Sequence, residues 1–533
     1  MQRILFFLLL GLPALAQFSS NLPLVYIDTE GKQIVDEPKV MAKMKLIYNG
    51  EGQRNTPYGT TVYDGNIGIE YRGSSSQSFP KKPFGFETWD ATGEDINFGF
   101  FGWPEESDWI LYPSYNEKSL IHNVLTLRMA EQMGLYGSRT KYVELYLNGS
   151  YEGVYVFMEK VKRDKGRVDI SKLEPDEETG EDLTGGYIIK IDKNTGSNNG
   201  SWTSKYSNQP GGAFKPSEFF YEYPKDITTI QRNYIQTYVD DFEDALQSEE
   251  FSDSATGYQQ YIDMESFVLM TIVNEVAKNV DGYRISTFLY KSKNEKLKLG
   301  PPWDYDISYG NADYCNGASY QGFSYNFNSV CPDDTWQVPF WWQRFLSDVN
   351  FVRAYRNTYD ELRSNGILEE SKLLGLVDEL AEEINEAQVR NFQRWPILGQ
   401  YVWPQPQPVS STWEGEVDEL KSWISLRLAW LDQNIPNEMA VLSSEKGLDF
   451  KVKAYPNPYI SSVSIEVISE KGAKASVSLI DLLGREIKTQ DFDLEKGQNQ
   501  LNLNFPENHS SQTLQLLKVK VGDKEVVHRM VQK

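Results

Sequence analysis

Residues 274–311 read NEVAKNVDGYRISTFLYKSKNEKLKLGPPWDYDISYGN. A helical stretch closes at NEVAKN and a short loop, VDGYR, follows. STFLYKS has the β-branched and aromatic content of a strand, NEKLK turns the chain, and LKLGPP leads back. The stretch is predicted to form a hairpin, with Asp281 before it and Asp304 and Asp306 after it. That geometry brings carboxylates to one end of the hairpin. A hard divalent cation needs two or more oxygens there, and phosphoryl transfer needs a carboxylate near the acceptor hydroxyl. Asn279 and Asn311 offer neutral oxygens. A D-x-D pair in a loop is more commonly a turn or a solvated face, so these residues alone leave both readings open.

The rest of the chain narrows the chemistry. Its 533 residues are enough for two or three domains with proper cores. A formal net charge of −23 argues against binding nucleic acid through its phosphates. There are only 3 histidines, and His509 and His528 lie in the tail. A metal would therefore be held by carboxylate oxygens, which suit magnesium, manganese or calcium. The first residues, MQRILFFLLLGLPALAQ, have a basic start, a short apolar run and a small-x-small ending at Ala16. They are predicted to be a signal peptide, with a soluble mature chain from Gln17. No later stretch reaches the roughly 20 apolar residues of a membrane span. In an oxidising compartment Cys315 and Cys331 are expected to pair as a disulfide.

Composition changes along the chain. Residues 448–533 hold 12 Lys/Arg and 11 Asp/Glu, so the negative excess lies upstream. Their short segments alternate: Val463, Ile465 and Val467, then Val477 and Leu479, then Leu501, Leu503 and Phe505, then Leu514 and Leu516. A small β-sandwich is expected there. Strand patterns at VMAKMKLIYN, GNIGIEYRG, PFGFETW, TKYVELYLNG and EGVYVFMEKV are interrupted by one helix, NEKSLIHNVLTLRMAEQMG, with Gly134 as its stop. From about residue 228 the chain is mainly helical. PFWWQRFLSDVNFVRAYRNTYDELR reads as one helix, and EVDELKSWISLRLAWLDQNI carries a stripe of Val417, Leu420, Ile424, Leu428 and Leu431. A strand-rich half followed by a helical half predicts an α+β body with two lobes.

Several of these stretches together resemble the CotH kinase family, the spore-coat protein H-like atypical protein kinases. They are IEYRGSSSQSFPKKPFGFE, NEKSLIHNVLTLRMAEQMG, YVELYLNGSYEGVYVFMEKV, GGYIIKIDK, MESFVLMTIVNEVAKNVDGYRISTFLYKS and LKLGPPWDYDISYGN. The tail resembles the type A sorting domain of the type IX secretion system, in AYPNPYISSVSIEV, LIDLLGREIK, LEKGQNQLNL and KVKVGDKEVVHRMVQK. The domains expected are a signal peptide (1–16), a two-lobed kinase-like body (17–440) and an all-β sorting sandwich (441–533). The resemblance implies an exported, surface-bound or secreted enzyme that uses ATP with Mg²⁺ or Mn²⁺ to phosphorylate protein Ser/Thr. The type IX machinery is the other implied partner.

Carried onto this sequence, Asp281 matches the catalytic-loop aspartate and Asp304 the metal-binding aspartate, with Asp306 sharing or supporting the ion. Trp303 is placed to stack on adenine or to pack in the core. Strand alternation in KKPFGFE puts Lys82 with Phe84 and Phe86. Lys82 would then be the buried lysine facing the nucleotide phosphates, and Lys81 would lie in solvent. Glu159 is its candidate acidic partner, and Arg72 opens a small-residue turn, RGSSS, suited to phosphate. His122 departs from the family's usual arginine. The rival class is an inactive surface or adhesion protein on the same scaffold, with PFWWQRF and YVWPQPQP as partner contacts.

Overall fold

Barrel closure rests on alternation within short strands. In β1 (Leu24–Asp28), β2 (Val40–Ile47), β3 (Thr61–Tyr71), β4 (Phe84–Trp89), β5 (Asp108–Tyr112), β6 (Thr140–Leu147) and β7 (Ser150–Glu159), pairs such as Ile67/Ile69, Phe84/Phe86 and Tyr155/Phe157 fall on one face. Those faces share one apolar core. The strand order β1-β2-β3-β4-β5-β7-β6 closes because β1 pairs in parallel with β6, Leu24 opposite Glu144. The computed structural model describes residues 18–194, 199–208, 215–437, 450–469, 471–481, 485–504, 513–522 and 524–532. The expected signal peptide, Phe505 and His509 lie outside the described residues.

The structure falls into two units. One takes the chain up to Ala245, with Ser254–Phe340 and Tyr359–Gln433; the other takes Leu246–Asp253, Trp341–Thr358 and the chain from Asn434. Beside the barrel the first unit holds an antiparallel sheet of β8 (Tyr187–Ile191), β9 (Ser201–Thr203), β10 (Glu218–Tyr223), β11 (Thr287–Lys291) and β12 (Lys298–Leu299), in the order β12-β11-β8-β10-β9. The helices are α1 (His122–Gln132), α2 (Thr229–Gln247), α3 (Met264–Ala277), α4 (Phe327–Val330), α5 (Trp341–Phe345), α6 (Val349–Ser364), α7 (Glu370–Arg394) and α8 (Trp413–Asn434). The mixture is α+β with an all-β C-terminal region. The α8 stripe is buried as its spacing requires.

Two expectations fail locally. The single helix expected over PFWWQRF and beyond is two, α5 and α6, because Asp348 Oδ1 accepts the amide of Asn350 and restarts the helix. Trp341, Trp342 and Phe345 are buried, so this stretch is core rather than an exposed contact.

The C-terminal strands form two sheets. The first joins β13 (Phe450–Tyr455), β14 (Ser462–Ser469) and β17 (Gly497–Asn504); the second joins β15 (Ala473–Asp481), β16 (Glu486–Leu494), β18 (Thr513–Val521) and β19 (Lys524–Gln532). Val463, Ile465 and Val467 meet Val477, Leu479, Leu501 and Leu503 in one core. In β18 the inward residues are Leu517 and Val519, so Leu516 is on the opposite face from the one expected.

Candidate functional site

The hairpin of residues 287–299 forms as predicted, with Leu289 opposite Leu299. α3 leads into it. Asp263 caps that helix by accepting the Ser266 amide at 2.8 Å, and Lys278 closes it in the left-handed region at φ 45°. The loops on either side of the hairpin are tied together: Val280 N donates to Ile307 O (3.2 Å) and Tyr309 N to Ala277 O (2.7 Å). Between the two aspartates, Tyr305 points inward, its hydroxyl donating to Asn274 Oδ1 and its amide to Asn123 Oδ1 (both 2.8 Å). With Tyr305 pinned, Asp304 and Asp306 flank it, both half-buried, and Asp281 lies close enough to act on both charges.

Each carboxylate has its own support. Asp281 Oδ1 accepts Arg284 Nη2 at 2.7 Å. Asp304, at φ 65°, accepts Ser286 Oγ at 3.3 Å. Asp306 Oδ2 accepts Asn116 Nδ2 at 2.6 Å. Burial pushes the Asp304 carboxyl well above the usual carboxylate range, and Asp306, Asp281 and Asp192 add to the rise while the Arg72 charge opposes it. Burial likewise raises Asp306, against the Asn116 hydrogen bond. Asn279 and Asn311, the two neutral oxygen donors expected here, both brace the site's backbone. Asn279 Oδ1 is taken by the Asp281 amide, and the Asn311 amide group braces the carbonyls of Asn116 and Asp306.

Around this cluster, the Arg72 guanidinium lies 5.5 Å from the Trp303 ring centroid. Trp303 is half-buried and meets Phe288 edge-on at 6.2 Å. The RGSSS turn leads into a short 3₁₀ stretch, Ser75–Ser78, with Gly73 at φ 84°.

The lysine expectation is reversed. Lys81 is the buried one, 1% exposed, its Nζ donating to Val154 O (2.5 Å) and Asn391 Oδ1 (2.9 Å). It joins β7 to α7. Lys82 is half-buried, with Nζ on Gln77 O at 2.6 Å. Alternation misled because β4 begins only at Phe84, so neither lysine has strand geometry. Glu159 is fully buried, but it pairs with Arg139 (2.8 Å) and Arg167 (3.8 Å), and the Tyr136 hydroxyl donates to it; neither lysine does. His122 is buried against Tyr309, with ring centroids 5.2 Å apart, and burial lowers its pKa to about 3. Cys315 and Cys331 are joined in a disulfide.

Asn116, Ser286, Arg284 and Asp192 were not foreseen. All four sit in quoted stretches as signals that went unused: Asn116 opens NEKSLIH, Asp192 follows the strand in GGYIIKIDK, Arg284 ends VDGYR and Ser286 opens STFLYKS. Among the described residues no group of three or more His, Cys, Asp or Glu side chains forms a ready metal cage. Magnesium is usually held by one or two carboxylates plus substrate phosphates rather than by such a cage.

A family model described as CotH kinase protein matches residues 69–431, about two thirds of the chain. A second, described as a secretion system C-terminal sorting domain, matches residues 453–533. No curated protein matches the chain. The chain belongs to the CotH kinase protein family and carries a C-terminal sorting domain of the type IX secretion system. That domain marks it for export to the cell surface or beyond. Among the described residues no helix is long and apolar enough to cross a membrane.

Proposed function

We propose that this chain is an exported protein kinase that transfers the γ-phosphate of ATP to Ser/Thr hydroxyls of a protein. The observation that carries the reading is the gathering of Asp281, Asp304 and Asp306 at one end of the hairpin. Burial and the neighbouring carboxylates raise the pKa of Asp304, and burial and the Asp281 charge raise that of Asp306, which is unfavourable for an empty pocket and favourable for one that receives a cation. All are hard oxygen donors, so the residues fit Mg²⁺ or Mn²⁺. When bound, such an ion would neutralise charge on the nucleotide phosphates.

The roles follow from position. Asp304 and Asp306 would hold the ion, with Asn116 and Ser286 fixing their carboxylates. Asp281 would orient the acceptor hydroxyl and take its proton as the oxygen bonds to the γ-phosphorus and the bond to the β-phosphate oxygen breaks, releasing ADP. Arg72 and the half-buried Lys82 would supply positive charge toward the phosphates, and Trp303 would form an edge of the base pocket. The wider organisation belongs to the same reading: a signal peptide over 1–16, a two-lobed body over 17–440 and a sorting sandwich over 441–533.

The test is transfer from labelled ATP by the mature chain with Mg²⁺ or Mn²⁺, onto itself and onto dephosphorylated casein. Label lost in both Asp281→Ala and Asp304→Ala supports the reading. No label, with no cation-dependent nucleotide binding, rejects it.

A second reading is an inactive surface scaffold, and one observation favours it. Lys81 is sequestered and Glu159 is committed to two arginines, so the lysine–glutamate pair expected between KKPFGFE and Glu159 does not form. Tyr401 and Trp403 of YVWPQPQP, 50% and 44% exposed, would then be partner contacts.

A further inference from the structure

Asp281 does not stand alone in its loop. Its Oδ1 is held by Arg284, and among the described residues nothing donates to its Oδ2. Arg284 is 3% exposed, yet it lies one helical turn from a candidate catalytic group. Its other donors are also committed. Nε donates to Val280 O (2.8 Å), while Nη1 donates to Asp334 Oδ1 and Trp336 O (both 3.2 Å). The guanidinium lies 4.1 Å from the Phe327 ring centroid.

The far anchors belong to one segment. Phe327, Asp334 and Trp336 flank Cys331, which is bonded to Cys315. Asp334 N donates to Cys331 O, and the Gln337 side chain donates to the carbonyls of both Cys331 and Asp334. The other end of the Asp281 loop grips the same segment. Lys278 Nζ donates to the carbonyls of Asn316, Ser319 and Gln321, at 2.6–2.7 Å. Two cations, three residues before and three after Asp281, thus fasten the loop to the disulfide-closed segment.

We propose that Arg284 is the positioning residue for Asp281, and that it is anchored through Asp334 to the segment closed by Cys315–Cys331. The proposal rests on the kinase reading for the meaning of Asp281. Arg284 fixes one carboxylate oxygen, so the other is presented to the acceptor in a single orientation. A guanidinium does this by offering two donor edges in one plane, one for Asp281 and one for Asp334. An ammonium cannot span both.

The experiment uses the mature full-length chain, as wild type, Arg284→Lys and Asp334→Asn. Asp334→Asn keeps the buried arginine and removes only its far anchor, so it avoids the folding risk of deleting Arg284. Three quantities are read: kcat for transfer to dephosphorylated casein, affinity for an Mn²⁺–ATP analogue by calorimetry, and amide hydrogen exchange of the peptide spanning 278–286. The expected result is a kcat loss of about 10- to 100-fold for Arg284→Lys and about 3- to 10-fold for Asp334→Asn, as for misorientation of a catalytic group. Nucleotide affinity should stay within about twofold, and exchange over 278–286 should rise in both variants. Unchanged kcat in both variants, with an active wild type, overturns the positioning role and leaves the kinase reading intact. An inactive wild type rejects the kinase reading instead, and exchange then decides whether the anchor exists: unchanged exchange over 278–286 overturns it.

Discussion

Replacing Asp304 by Asn should raise stability in the free protein and lower it once nucleotide and cation are added. In the free protein, burial and the charges of Asp306, Asp281 and Asp192 disfavour ionised Asp304, while the Arg72 charge and the Ser286 hydroxyl favour it. Two carboxylates about 5 Å apart, at an effective dielectric constant of about 20, repel by roughly 3 kcal/mol. Arg72 offsets part of this, leaving a gain of about 1–2 kcal/mol for the neutral amide. Asn can still accept the Ser286 hydroxyl. A raised folded-state pKa means that the Asp304 contribution is complete below the unfolded value, near 3.9, and is lost as pH rises. The advantage of Asn should therefore be small at pH 4 and larger at pH 7.5. With Mn²⁺–ATP analogue at about 100 times its Kd, the wild type gains about 2.7 kcal/mol and the variant little, so the order reverses. Urea unfolding at both pH values, with and without ligand, reads all four cases. A variant less stable than the wild type at pH 7.5 without ligand, or equally stabilised by it, would refute the reasoning.

Three further outcomes are expected. Lys81→Ala should destabilise the fold by about 2–3 kcal/mol, because Asn391 Oδ1 and Val154 O lose a buried donor, while Lys82→Ala should change stability by under about 0.5 kcal/mol and weaken nucleotide binding; urea unfolding and calorimetry separate the two. Burial raises Glu117 to about 7, so its contribution to stability is present below about pH 4.5 and lost as pH rises through 7. Glu117→Gln should flatten that part of the stability–pH curve, and a slope unchanged by the substitution would remove Glu117 as its source. Replacing both cysteines by serine should cost about 3 kcal/mol for a disulfide spanning 16 residues, and should speed proteolysis between 315 and 336; equal unfolding midpoints would deny the bridge any stabilising role.

The parts of the fold that were legible are those with local signals. Helical stripes placed α3, α7 and α8, alternation placed the barrel and sandwich strands, and the turn at NEKLK fixed the hairpin. Barrel closure was not legible, because β1 and β6 pair across more than a hundred residues and nothing local in LVYID names its partner. At the site, the three aspartates were read from sequence, since the chain order around a hairpin dictates their proximity. Their supports were not. Asn116 reaches Asp306 from 190 residues away, and the partners of Glu159 come from residues 136–139 and 167, segments with no periodic relation to β7. The lysines were misassigned because a period of two was extended three residues beyond the start of a strand.

The central claim is that Asp304 and Asp306 form a cation-dependent nucleotide site presented to Asp281. Calorimetric titration of a non-hydrolysable ATP analogue tests it most directly, into wild type, Asp304→Ala and Asp281→Ala, with and without Mn²⁺. The account predicts one nucleotide per chain, bound only with the cation, lost in Asp304→Ala and kept in Asp281→Ala. Binding that ignores the cation, that survives in Asp304→Ala, or that is absent from the wild type would contradict it.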